Sequence, residues 1–176
     1  MRLLGAGLVL ALGLTGIHAD PRQDVLDAAL SQLGVTEATG HNDGEKVDAF
    51  LATVGLEGSG APWCACFNRW SYDRAGLRKV GPRSALAAAW VASPTWTRAD
   101  GGRTPLPGDT WGIWIGAGVH HTGMVEKWGD QVVTTVEGNT APQAIPGSAQ
   151  DREGDGVWRK RRLVRQIYSA KNWIGD

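Results

Sequence analysis

The first half of the chain repeats its apolar residues at helical spacing, and the second half alternates them. From Pro21 to Leu33, the residues Val25, Leu26, Ala29, Leu30 and Leu33 fall on one face, with Pro21 in the first turn and Gly34 as the stop. A polar, turn-rich stretch follows, centred on His41-Asn42-Asp43-Gly44. A second helix is predicted over Glu45 to Val54, with Val47, Phe50, Leu51 and Val54 on one side. The third begins at Pro62 and ends at Gly76. In it Trp63, Cys66, Phe67 and Trp70 form a stripe turned to the core, while Cys64 lies off the stripe beside the polar Asn68 and Ser71. Ala85 to Val91 is a short helix candidate, and residues 92–108 form a connecting loop. Beyond it, Thr110–Ile115, Thr122–Trp128, Gln131–Glu137 and Gly156–Arg162 are short β-branched or aromatic runs bounded by turn signals, with Gly129-Asp130 as a hairpin turn. Gly138 to Asp155 is a long polar loop, and Leu163 to Ile174 closes the chain as a last strand or partial helix. Helices first and strands after predict an α+β fold, with a helix packed on a small antiparallel sheet.

Residues 1–19 read differently. Arg2, an apolar run from Leu3 to Gly16 and Ala19 at the cut have the pattern of a secretory signal, leaving residues 20–176 as one domain. The run is too short and glycine-rich for a comfortable membrane span, so the expectation is export, secreted or periplasmic, without stable membrane insertion. An uncleaved anchor is the alternative. Composition adds one exclusion: 18 basic and 18 acidic residues give no field that would draw nucleic acid. Nine tryptophans indicate either a large aromatic core or a sugar-stacking surface, and the core reading is favoured.

Cys64 and Cys66 are the whole cysteine complement. On a helix, residues two apart point about 200° away from each other, so these sulfurs diverge and a disulfide between them is not expected. At the first turn, the Cys64 thiolate would meet the positive end of the helix dipole and free backbone N–H groups, both of which favour the ionised nucleophile. Cys66 is the packing cysteine. A nucleophile needs a base, and His41, His120 and His121 are the histidines after the signal. Alternation puts His121 with Gly123 and Val125 on one face and His120 with Thr122, Met124 and Glu126 on the other, without choosing between them. His41 lies in a turn-rich loop and could line a cleft. The acceptor that orients the base is expected from Glu137 or, second, Asn139 at the end of the next strand.

These residues resemble the CHAP family of cysteine- and histidine-dependent amidohydrolases and peptidases. Pro62-Trp63-Cys64-Ala65 with Phe67 and Trp70 is similar to its nucleophile helix. Leu106-Pro107-Gly108-Asp109 is similar to the turn entering its first core strand, and His121-Thr122-Gly123-Met124-Val125 to its histidine strand. Glu137-Gly138-Asn139-Thr140 and Gly154-Asp155-Gly156-Val157-Trp158-Arg159 match later segments in the same order. The resemblance runs from about residue 24 to residue 174. It implies a papain-like fold, Cys64 as nucleophile, His121 as base, Glu137 or Asn139 as third residue, and Trp63, His41, Asn42 and His120 on the substrate side. It implies a monomeric, metal-free and cofactor-free peptidoglycan hydrolase. The bond cut would join the glycan lactyl group to the first L-alanine or lie within the stem peptide. Two rivals stand beside it: a wall-binding module of the same fold without catalysis, and a zinc amidase using His41, His120 and His121 with an acid. A redox protein built on Cys64-Ala65-Cys66 lacks the usual two-residue spacing.

Overall fold

The computed structural model describes residues 20–142 and 154–175. The expected signal segment and most of the loop expected between Gly138 and Asp155 lie outside the described residues.

Three helices precede a seven-stranded sheet. Helix α1 (Pro21–Leu30) opens on Asp20, whose carboxylate accepts the Arg22 N–H at 3.0 Å. Its Val25, Leu26 and Ala29 turn inward. It ends three residues before the expected Leu33, in a turn that reaches Gly34 at φ +84°. Helix α2 (Glu45–Ala52) starts from Gly44 at φ +110°, a conformation that favours glycine, and buries Val47, Phe50 and Leu51. Helix α3 (Cys64–Arg74) lies between the other two helices and the sheet, so it is buried nearly all round rather than along one stripe. For that reason Asn68 and Ser71, the polar neighbours expected beside a cleft, are fully buried.

The strands are β1 (Trp96–Thr97), β2 (Gly101–Gly102), β3 (Thr110–Ile115), β4 (Gly118–Trp128), β5 (Val132–Thr140), β6 (Gly156–Leu163) and β7 (Ser169–Lys171). Their order across the sheet is β2-β1-β7-β3-β4-β5-β6, with antiparallel pairing throughout. The architecture is therefore the expected mixture of helix and antiparallel sheet. Gly129-Asp130 makes the β4–β5 turn, with the Gly129 N–H donating to the Val132 carbonyl at 3.1 Å. Strand β4 begins four residues earlier than expected, and β5 runs three residues further. The loop expected over 92–108 contains β1 and β2, and Ala87–Val91 is a 3-10 turn. The closing segment divides into a 3-10 turn at Val164–Gln166 and strand β7.

One core lies between sheet and helices, with Val25, Phe50, Trp63, Phe67, Met124 and Val136 among its members. A second, formed by Trp111, Val125, Val133, Ile167 and Ala170, covers the other side. The Leu106–Asp109 turn ties the two halves together. Asp109, buried, takes ion pairs from Arg22 at 2.8 Å and Arg103 at 3.0 Å, and the Tyr72 hydroxyl donates to the Gly108 carbonyl at 2.8 Å. Among the described residues, no helix is long and apolar enough to cross a membrane.

Candidate active site

Cys64 is the first residue of α3, following the cap residue Trp63. It is 5 % exposed and lines a cleft of about 370 Å³ with Pro62, Ala85–Ala88, Val119 and His120. Burial by itself would raise the thiol pKa, yet the net displacement is downward. Hydrogen bonding from His121, its charge, and the backbone groups of Thr122 and Ala65 outweigh the lost hydration. Cys66, two residues on, faces the core. Burial pushes its thiol up to about 12, and the neighbouring Cys64 charge adds to this. Both cysteines are free thiols. One position therefore favours a thiolate and the other suppresses it.

His121 enters from β4, where the β3–β4 register breaks between Ile113 and Trp114. A bulge of this kind re-aims side chains. The ring is fully buried and packs edge-to-face with Trp111 at a centroid distance of 5.7 Å. Its Nε2 lies 2.9 Å from Glu137 Oε2. Its Nδ1 is buried and bonded to no other side chain or backbone group among the described residues, and Cys64 is the thiol whose interaction with the ring shifts both groups. Burial opposes the charged ring, but the Cys64 and Glu137 interactions prevail and lift its pKa to about 8. The shifts of Cys64 and His121 are those of a thiolate–imidazolium pair.

Glu137, on β5, is held as an anion. Burial opposes this, and the Arg162 guanidinium is the largest of the effects that overcome it, driving the carboxyl far below the usual range. Arg162 grips it with two bonds, Nε to Oε1 at 2.7 Å and Nη2 to Oε2 at 2.5 Å, and Thr135 Oγ1 donates to Oε1. The guanidinium also lies 5.1 Å from the Trp111 ring centroid. Arg162 was not singled out in the sequence, where it is only the last residue of the strand expected over Gly156–Arg162. The available signal was the alternation itself, because it turns Lys160 and Arg162 inward, where a buried cation requires an acid on the neighbouring strand.

Asn139 does not reach His121. With its amide oriented to suit its neighbours, its oxygen accepts the Trp63 N–H at 3.2 Å and its nitrogen donates to the Gly154 carbonyl at 2.9 Å. It fastens β5 to the start of α3, and the carboxylate in contact with the His121 ring is that of Glu137. Trp63 also departs from expectation. It is fully buried against Phe50 at 5.5 Å and donates to Glu37 at 2.9 Å, so it packs the core and offers no surface to a substrate. Asn42 lines a separate polar hollow of about 390 Å³ with Glu37, Pro62, Asn139 and Asp155. His41 is exposed, its ring bonded to Thr39. His120, exposed, stands on the wall of the Cys64 cleft. A further tie missed in the sequence joins α3 to β4, where Asn68 Nδ2 donates to Thr122 Oγ1 at 3.2 Å. Among the described residues, no three histidine, cysteine or acidic side chains are grouped to hold a metal ion.

Comparison of the chain with protein-family models, curated proteins and solved structures returns no match.

Proposed function

We propose that this chain is a cysteine amidohydrolase of the CHAP type, papain-like in fold, that is exported and cuts an amide bond in peptidoglycan. The observation that supports it best is the chain of contacts Cys64–His121–Glu137–Arg162, with the thiol pKa lowered and the imidazole pKa raised at the tip of a helix. His121 Nδ1 takes the Cys64 proton, and the sulfur attacks the amide carbonyl carbon, forming a C–S bond and an oxyanion. The Cys64 backbone N–H, free at the first turn of α3, is positioned to stabilise that oxyanion. As the oxyanion collapses the C–N bond breaks, and His121 gives its proton to the departing amine. Water, deprotonated by the same ring, then releases the acyl group and restores the thiol. Glu137 holds the ring by Nε2, so that Nδ1 remains the working atom, and Arg162 keeps Glu137 ionised.

Peptidoglycan as the substrate rests on the sequence resemblance together with the signal-like segment. The test is amine release from purified sacculi. Cys64→Ala is expected to abolish it, and Cys66→Ala to retain most of it. Loss in the second variant with retention in the first would overturn the assignment.

A further inference from the structure

Asn68 is a polar side chain in an apolar place. It is fully buried in the middle of α3, the helix that also gives Phe67 and Tyr72 to the main core. Its Nδ2 donates to Thr122 Oγ1 at 3.2 Å, and that hydroxyl in turn donates to the Trp111 carbonyl at 2.7 Å. Its Oδ1 is buried and has no hydrogen-bond partner among the described residues. A buried amide with an unpaired acceptor is less favourable than a hydrocarbon of similar shape. Leucine in its place would leave no donor stranded, because Thr122 Oγ1 keeps the Trp111 carbonyl. Stability alone therefore does not account for the residue.

Its surroundings supply another reason. Asn68 lies one turn after Cys64, and residues four apart on a helix share a face. Thr122 follows His121 on β4, and its backbone N–H donates to the Cys64 sulfur. The bond from Asn68 to Thr122 thus spans the helix that carries Cys64 and the strand that carries His121. Apolar packing of α3 on the sheet is non-directional and by itself leaves room for small slides. A hydrogen bond weakens steeply with misalignment, so it fixes position more tightly. The Thr122 hydroxyl is held from both sides, by Asn68 on α3 and by Trp111 on β3.

We infer that Asn68 is a positioning residue: through the Thr122 hydroxyl it fixes the tip of α3 against β4 and keeps the Thr122 N–H on the Cys64 sulfur. The inference rests on the proposed roles of Cys64 and His121.

The pH dependence of Cys64 labelling by iodoacetamide, with peptide mass mapping and thermal melting alongside, tests it. In Asn68→Leu the labelling rate at pH 6 is expected to fall about tenfold, the effect of one weakened hydrogen bond to a charged group. The melting temperature should stay the same or rise, and kcat on sacculi should fall with the labelling while KM changes little. Asn68→Ala, which cannot crowd the core, should lose labelling in the same way. Thr122→Ser keeps the hydroxyl and should label within about twofold of the wild-type rate. A lower melting temperature in both Asn68 variants, with the pH profile of labelling unmoved, would make Asn68 a structural residue only and overturn the inference. A loss in Thr122→Ser as large as that in Asn68→Leu would also overturn it. Both results leave the roles of Cys64 and His121 standing. A wild-type Cys64 that labels no faster than free cysteine removes the proposed nucleophile, and the inference with it.

Discussion

Two side chains of one kind, Cys64 and Cys66, sit two positions apart on α3 and have opposite chemistry. The difference comes from what each faces. The Cys64 sulfur meets His121 and backbone groups at the tip of the helix, whereas burial and the neighbouring Cys64 charge outweigh the single backbone hydrogen bond at the Cys66 sulfur. The working state pairs a thiolate with an imidazolium, and its pH window follows from the two shifts. Activity should appear once Cys64 ionises, below the usual thiol range. It should fall again as His121, protonated up to about pH 8, loses its proton. A kcat/KM profile with its alkaline limb near pH 8 is expected, whereas a limb near the unperturbed histidine value would contradict the pairing. The third residue gives a sharper test. Glu137→Gln keeps the shape and removes the charge beside Nε2, and should cost at least about a hundredfold in kcat. Asn139→Gly accepts the φ of +56° at that position and removes the amide's ties to Trp63, Gly154 and Asn42 while leaving the His121–Glu137 contact in place, so a loss below about tenfold is expected. The reverse order of effects would return the third role to Asn139. Alternation along β6 turns Lys160 and Arg162 inward together, but which of the two meets Glu137 is legible only once the register with β5 is known.

The site depends on how closely α3 approaches β5. A Cβ added to Gly138 would come within 2.6 Å of the Trp63 ring and 2.7 Å of Phe67 Cβ, so only glycine permits this spacing. Gly138→Ala should therefore force β5 away from α3 and destabilise the fold by about 1–3 kcal/mol. It should also lower activity in the fraction that remains folded, because Glu137 moves with the strand. Thermal melting and kcat on the folded fraction check both parts, and an unchanged melting temperature would show that the approach is looser than described. The sequence identified Glu137-Gly138-Asn139 as a strand end, but could not show that the glycine serves the contact with the helix. The long elements were legible because each repeats its period over several residues: α1, α2, α3, β3 and the β4–β5 hairpin. Strands β1 and β2, of two residues each, have no period to read. The first four residues of β4, Gly118 to His121, fall outside the strand expected from Thr122. The turn before them is tight, with Ile115 paired to Gly118.

At the scale of the molecule, helices are packed on one side of an antiparallel sheet, and the site forms where the tip of α3 meets β4 and β5. That order of elements followed from the switch in hydrophobic period along the chain. The meeting of Cys64 with His121 did not, because it depends on where the tip of α3 packs and on a register break between β3 and β4, neither of which sequence spacing encodes. The central claim is that Cys64 is ionised beside His121 near neutral pH. Labelling with iodoacetamide at pH 6, in the presence of EDTA and followed by peptide mass mapping, measures this directly. Cys64 should react much faster than free cysteine, Cys66 should stay unmodified, and release of amines from sacculi should fall in step with the label. A Cys64 no more reactive than free cysteine, or full activity after complete labelling, would contradict the account.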